Sequence, residues 1–177
     1  LILNEVFKTK FKLVMGYPGS RESGLAMEKG EVEGACGFAW PSISVTNPGW
    51  FGPNGKMRLI AQTHPQGHPD LNKEGVPNAY NMTTNDLDKA TLDVFFSQMV
   101  FGRPYVLPPE TPKDRVALLR KAFNAALADP ELLAEAKKAN LEVNPVTGED
   151  VEALINKVYS TSPEIVKRIK TALGAQK

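Results

Sequence analysis

The stretch FKLVMGYPGSRESGLAMEKGEVEGACGFAW, residues 11–40, decides the predicted fold class. It begins with an apolar run of strand formers at 11–15 and breaks at turn residues rich in glycine. A helix follows, which Ser20 is placed to cap and Gly30 to end. Residues 32–39 form a second strand candidate. Two strands with a helix between them are a βαβ unit, so we predict an α/β fold with a mainly parallel sheet.

The turn at residues 16–20 is the first candidate for a binding site. In open parallel sheets, ligands bind beyond the carboxyl ends of the strands, which here are residues 16–20 and 39–41. A turn that leads into a helix presents free N–H groups at the positive end of the helix dipole. Ser20 adds a hydroxyl and Tyr17 a phenol, so we interpret the turn as an anion site that holds a carboxylate. The alternative is a plain strand-to-helix turn.

Three further residues are candidates for the walls of such a site. Trp40 ends the second predicted strand, where it either lines a cleft or serves as a core aromatic. Arg103 is able to pair bidentately with a ligand carboxylate, or equally with an acidic residue on the protein surface. Tyr105 lies on the same predicted extended segment. The complete set of predicted ligand-binding residues is Tyr17, Pro18, Gly19, Ser20, Trp40, Arg103 and Tyr105.

Composition favours a globular protein, for which we predict no cofactor. The 177 residues are 42% hydrophobic and 23% charged, and the net charge of +1 gives no reason to expect nucleic acid as a partner. The single cysteine, Cys36, excludes an internal disulfide and is typical of a buried small hydrophobe. His64 and His68 have a metal-ligand spacing, but prolines interrupt any helix there, so we predict exposed loop histidines and no metal. No nucleophile motif is present, and we predict that the chain is not an enzyme.

The predicted secondary structure changes near residue 100, from mixed α/β before it to helices after it. Residues 56–62 resemble a third strand, residues 63–79 an irregular segment, and residues 86–99 a helix capped by Asn85 or Thr84. After an extended segment at 101–107, the pattern predicts amphipathic helices that begin at Thr111, Asp129, Thr147 and Ser162. We expect these helices to cover a sheet that the chain itself does not contain.

The N-terminal residues suggest that the chain is part of a longer protein. Residues 1–7 have helical spacing without a cap and resemble the second half of a helix. We therefore expect this to be a C-terminal portion, with a signal peptide in the missing N-terminal part.

Several short motifs, in this order, resemble the extracytoplasmic solute receptors of tripartite tricarboxylate transporters, the Bug family. They extend over nearly the whole chain: LNEV (3–6), TKF (9–11), GYPG (16–19), LAMEKGEVEG (25–34), FGRPY (101–105), PPETP (108–112), DPE (129–131) and PVTGE (145–149).

The resemblance implies a periplasmic-binding-protein-like fold with two α/β lobes that close on a small carboxylate, as a Venus flytrap does. Residues 1–100 would form the second lobe, 101–107 the crossing between lobes, and 108–177 the helical C-terminal part of the first lobe. The first-lobe loops expected to grip the ligand would precede residue 1. The implied function is periplasmic capture of a carboxylate solute for the membrane permease subunits of the transporter.

Two other function classes remain as alternatives. A ligand-sensing effector domain of a transcription regulator shares the two-lobed architecture, and a helix-turn-helix upstream of Leu1 would favour it. The second alternative is an enzyme on an α/β scaffold. Loss of activity on changing Cys36 or His64 would support it. Because the helices after Thr111 would lack their sheet, we also expect the truncated chain to self-associate.

Overall fold

The structure is a computed structural model that describes residues 1–174, and the chain is 55% helical. Two 3-10 turns, Pro48–Trp50 and Ala79–Met82, accompany the α-helices. The helices are α1 (Ile2–Phe7), α2 (Ser20–Glu28), α3 (Trp40–Thr46), α4 (Pro69–Lys73), α5 (Asp86–Phe96), α6 (Gln98–Phe101), α7 (Lys113–Leu127), α8 (Pro130–Lys138), α9 (Gly148–Tyr159) and α10 (Pro163–Ala172).

The predicted parallel sheet is wrong, because no sheet forms among residues 1–174. Residues 11–15, 32–39 and 56–61 form no strand, and the one bridge among the described residues joins Gln62 to Asn78 in parallel. A segment rich in strand-forming residues has side chains that fit a pleated surface, but this does not show that the segment is paired. A strand also needs a second segment to satisfy its N–H and C=O groups, and no local signal supplies that partner.

The structure divides the chain after Ile60 into two compact units. The first comprises Leu1 and Leu3–Ile60, and the second comprises Ile2 and the described residues from Ala61 onward. The predicted assignment of residues 1–100 and 108–177 to two lobes stays a prediction.

The core of the first unit forms around Trp50, whose side chain is 6% exposed. Ile43 of α3 and Ala26 of α2 are buried with it. The indole N–H of Trp50 donates to Glu28 Oε1 at 2.6 Å, so the one polar atom of the ring is satisfied. The ring also occupies the space beside Gly24, where a side chain would collide with it.

The core of the second unit is built on α5 and the residues before it. Leu92 is completely buried, and Phe96, Tyr80 and Leu71 are nearly so. The Tyr80 hydroxyl donates to the Leu92 carbonyl at 3.2 Å. Burial, and secondarily the charge of Asp93, raises the pKa of Tyr80 well above its usual range. The phenol is therefore a fixed neutral donor in this core.

Most predicted helix starts of the second unit are confirmed. Asn85, Asp129, Thr147 and Ser162 each accept a hydrogen bond from a backbone N–H of the first helical turn. The cap predicted at Thr111 is wrong, because Pro112 occupies the N-cap position and the Thr111 hydroxyl donates to the Pro108 carbonyl instead.

Helices α7 to α10 have no fully buried residue in the described part of the chain. They are held in part by charged groups. The Arg120 guanidinium of α7 donates to Glu149 Oε1 at 3.0 Å and to Glu152 Oε2 at 3.2 Å, both on α9. The amphipathic pattern that predicts these helices is therefore present, while their apolar faces remain partly open to solvent.

Candidate functional site

The predicted anion site lies at the N-terminus of α2. Gly19 is the N-cap, with an extended backbone (φ −170°, ψ −175°) and no side-chain hydrogen bond to the helix start. The prediction that Ser20 caps the helix is therefore wrong by one residue, since Ser20 is the first helical residue. The first intrahelical bond runs from the Ser23 N–H to the Gly19 carbonyl at 3.1 Å. The earlier N–H groups of the turn have no partner within the helix.

Glu22 is a charged neighbour of this helix start that the sequence analysis did not consider. It lies in the first turn of α2, and a Cβ placed on Gly19 would be 3.2 Å from its Oε2. The carboxylate stabilises the positive end of the helix. It also places a negative charge close to where a ligand carboxylate would bind, so the two negative charges would repel each other.

Tyr17 is half-buried, and Pro18 and Ser20 are exposed. The Tyr17 hydroxyl has no hydrogen-bond partner among residues 1–174, so it is available to an outside acceptor. The predicted reason for placing these residues at a ligand site, the carboxyl end of a parallel sheet, does not hold because the sheet is absent from the described residues.

Trp40 belongs to an aromatic cluster in the first unit. It begins α3 and packs edge-on against Phe51, with ring centroids 5.0 Å apart. Phe51 in turn contacts Trp50 at 6.2 Å, and Phe38 lies 5.9 Å from Trp50 on another side. Trp50 is buried, whereas Trp40 is half-buried at the edge of the cluster. Trp40 therefore packs at the edge of this cluster, and its place in a ligand cleft stays a prediction.

Arg103 and Tyr105 lie in the second unit, on the segment between α6 and α7, which is neither helix nor strand. Arg103 is exposed, and no acidic residue among residues 1–174 pairs with it, so the alternative of a surface ion pair is not found there. The Tyr105 ring packs against Phe123 of α7 at 4.9 Å and is still 83% exposed. The predicted extended segment is shorter than expected, because Phe101 ends α6.

The two histidines are not the exposed loop residues that the sequence predicts. Residues 63–79 contain α4, and the His68 imidazole caps it by accepting from the Asp70 N–H at 3.2 Å. His68 Nε2 lies 3.3 Å from Glu142 Oε2. His64 is half-buried, and burial lowers its pKa, as does the nearby His68. Within residues 1–174, no group of three or more His, Cys, Asp or Glu side chains is placed to hold a metal ion.

Cys36 is exposed, which corrects the prediction that it is a buried hydrophobe. Its position on the unpaired segment at 32–39 explains the difference, because burial was expected from a strand inside a sheet. Among the described residues, no helix combines the length and apolar character needed to cross a bilayer.

Sequence reasoning missed Gln62, a polar residue that is only 6% exposed. Its amide donates to Asn72 Oδ1 at 2.9 Å and to the Val76 carbonyl at 3.0 Å, and its Oε1 accepts from the His68 N–H at 2.7 Å. No spacing or motif marks these partners. A glutamine at the end of an apolar run was the one available signal.

Comparison of the chain with known protein families, with curated proteins and with solved structures finds no match in any of the three.

Proposed function

We propose that this chain is part of an extracytoplasmic receptor that captures a small carboxylate for a tripartite-tricarboxylate-type transporter in the periplasm. The observation that carries the proposal is the start of α2, where Gly19 leaves the first N–H groups without a side-chain cap. The ordered motifs that resemble the Bug family support the same conclusion. No chemical reaction is proposed, and the membrane permease subunits would receive the solute.

The binding would depend on hydrogen bonds rather than on a buried lysine. Backbone N–H groups of the α2 start and the hydroxyls of Ser20 and Tyr17 would donate to the carboxylate oxygens. Trp40 would supply an apolar wall, because its ring is half-buried at the edge of the aromatic cluster. Arg103 and Tyr105 lie on the second unit and are not assigned to this site.

The test is a thermal-shift screen of dicarboxylates and aromatic acids, followed by calorimetry, on the full-length gene product that contains this chain. Gly19→Val should weaken the binding of a carboxylate that scores in the screen by about tenfold, since a lost charge-assisted hydrogen bond costs about 1.5 kcal/mol. Gly34→Val is the matched control, because Gly34 has open space around it and lies outside the proposed site.

Two results would contradict the proposal. An affinity that is equal in Gly19→Val and Gly34→Val would remove the α2 start from the site. A full-length gene that encodes an upstream helix-turn-helix and lacks a signal peptide would replace the receptor by a ligand-sensing regulator.

A further inference from the structure

Residues 62–79, named here the Gln62 loop, form a closed loop in the second unit. Its two ends meet where the Gln62 N–H donates to the Pro77 carbonyl at 2.8 Å and the Ala79 N–H donates to the Gln62 carbonyl at 2.9 Å. The buried Gln62 amide holds the interior through its three hydrogen bonds to Asn72, Val76 and His68. The Gln62 side chain therefore stabilises the closed loop from its interior.

His64 lies within this loop and has one imidazole nitrogen without a partner. Its Nδ1 is buried and makes no hydrogen bond to any described residue. Its backbone carbonyl, in contrast, accepts from the Asn78 amide at 3.1 Å and from the Gly67 N–H at 2.9 Å. The backbone of His64 is therefore held by hydrogen bonds, whereas the Nδ1 atom of its ring is not. A neutral ring tolerates a missing partner at moderate cost, but a charged ring in the same place would be a buried unpaired ion.

The charged groups around His64 do not favour its protonation. The neighbouring ionisable group that acts on it is His68, whose charge would repel a second positive charge. The acids nearby serve His68 instead: Asp70 Oδ2 lies 3.8 Å from His68 Nδ1, and Glu142 Oε2 lies 3.3 Å from His68 Nε2. The closed loop therefore contains one histidine with acidic partners and one without.

We propose that the Gln62 loop is an acid-opened segment, in which protonation of the His64 imidazole releases residues 63–77 from the hydrogen bonds of Gln62. The proton binds the open form better, because opening exposes the ring to water and increases its distance from His68. By linkage, a ligand of the open form shifts the population towards it.

The direction of the pH effect follows from the sign of the shift. Burial lowers the pKa of His64 in the closed loop below the ordinary value of 6.5, so the open form binds more protons between these two values. The closed form is fully favoured above the ordinary value and loses stability as the pH falls through the interval below it. Within that interval, the opening equilibrium should rise by up to about tenfold per pH unit.

The experiment is amide hydrogen exchange measured by mass spectrometry on peptides that cover residues 62–79, from about pH 7.5 to about pH 5, with rates corrected for intrinsic pH dependence. Wild type should lose protection in these peptides as the pH falls, while peptides from α5 stay protected. His64→Gln should remove the pH dependence. His68→Gln should reduce the pH dependence without removing it, because burial lowers the pKa of His64 more than the charge of His68 does.

Protection that is independent of pH in wild type would overturn the proposal, as would a pH-dependent loss that persists in His64→Gln. If His64→Gln does not fold, nuclear magnetic resonance of the His64 ring in wild type gives the answer. A titration midpoint below that of the urea-unfolded chain supports the proposal, and an equal or higher midpoint overturns it.

Discussion

Gly24 brings the backbone of α2 against the indole of Trp50. A Cβ on Gly24 would lie 2.5 Å from Trp50 Cη2, which is closer than two carbon atoms can approach. Gly24→Ala should therefore destabilise the first unit by about 1–3 kcal/mol through overpacking, although alanine is the better helix former. Urea unfolding followed by circular dichroism measures the change. Gly49→Ala is the control, since nothing lies within 4 Å of that position, and equal stabilities of the two variants would contradict the contact.

Glu22 gives a second prediction at the scale of single residues, which depends on the proposed function. Glu22→Gln removes the charge that would repel a ligand carboxylate at the α2 start, so carboxylate affinity should rise about two- to fivefold. Calorimetry on the full-length gene product measures this rise. Glu31→Gln makes the same change of charge beyond the opposite end of α2 and should leave the affinity unchanged. A weaker affinity in Glu22→Gln would show that the carboxylate supports the site rather than repelling the ligand.

At the scale of elements, α5 and α10 are joined by a mostly buried ion pair. Arg168 donates to Asp88 Oδ1 at 2.5 Å and to the Thr91 hydroxyl at 3.2 Å, with 17% and 14% of the charged side chains exposed. Arg168→Leu should cost about 3–5 kcal/mol, because it removes the cation that pairs with the mostly buried Asp88 carboxylate. The double variant with Asp88→Leu should recover part of this loss. Denaturant unfolding of the wild type, Arg168→Leu, Asp88→Leu and the double variant gives the coupling energy.

The control for this pair is a second contact to the same helix. Lys157 of α9 lies 3.5 Å from Asp93 Oδ2 of α5, but 69% of the lysine side chain is exposed. Lys157→Leu should change the stability by less than about 1 kcal/mol. A loss as large as that of Arg168→Leu would mean that burial does not distinguish the two pairs.

Helix starts were predictable because their signals are local. Asp129 and Ser162 are each followed by proline, and each accepts a hydrogen bond from an N–H group two or three residues away. Both partners of each hydrogen bond are therefore close together in the sequence. The absence of a sheet was not predictable in the same way, since strand pairing depends on segments that lie far apart in sequence. The hydrogen bond from Trp50 to Glu28 spans 22 residues and that from Arg168 to Asp88 spans 80, and neither has a spacing rule. For the candidate site, the α2 start was placed within one residue, whereas Glu22 was overlooked.

At the scale of the whole molecule, the chain exposes several large apolar side chains. Tyr105 and Val106 are each 83% exposed, and Met15 is 78% exposed. We therefore predict that the isolated chain self-associates as its concentration rises, and that sulfate strengthens the association. Multi-angle light scattering over a dilution series measures the mass. Val106→Lys should shift the association to higher concentration, whereas Lys10→Arg should not, and a constant monomer mass would contradict the prediction.

Both tryptophans of the chain, Trp40 and Trp50, belong to the first unit. Their indole emission therefore reports on the first unit. Fluorescence and far-ultraviolet ellipticity recorded during the same melt would follow different parts of the chain. Coinciding curves would show that the two units unfold cooperatively, and separated curves would give each unit its own midpoint without any label.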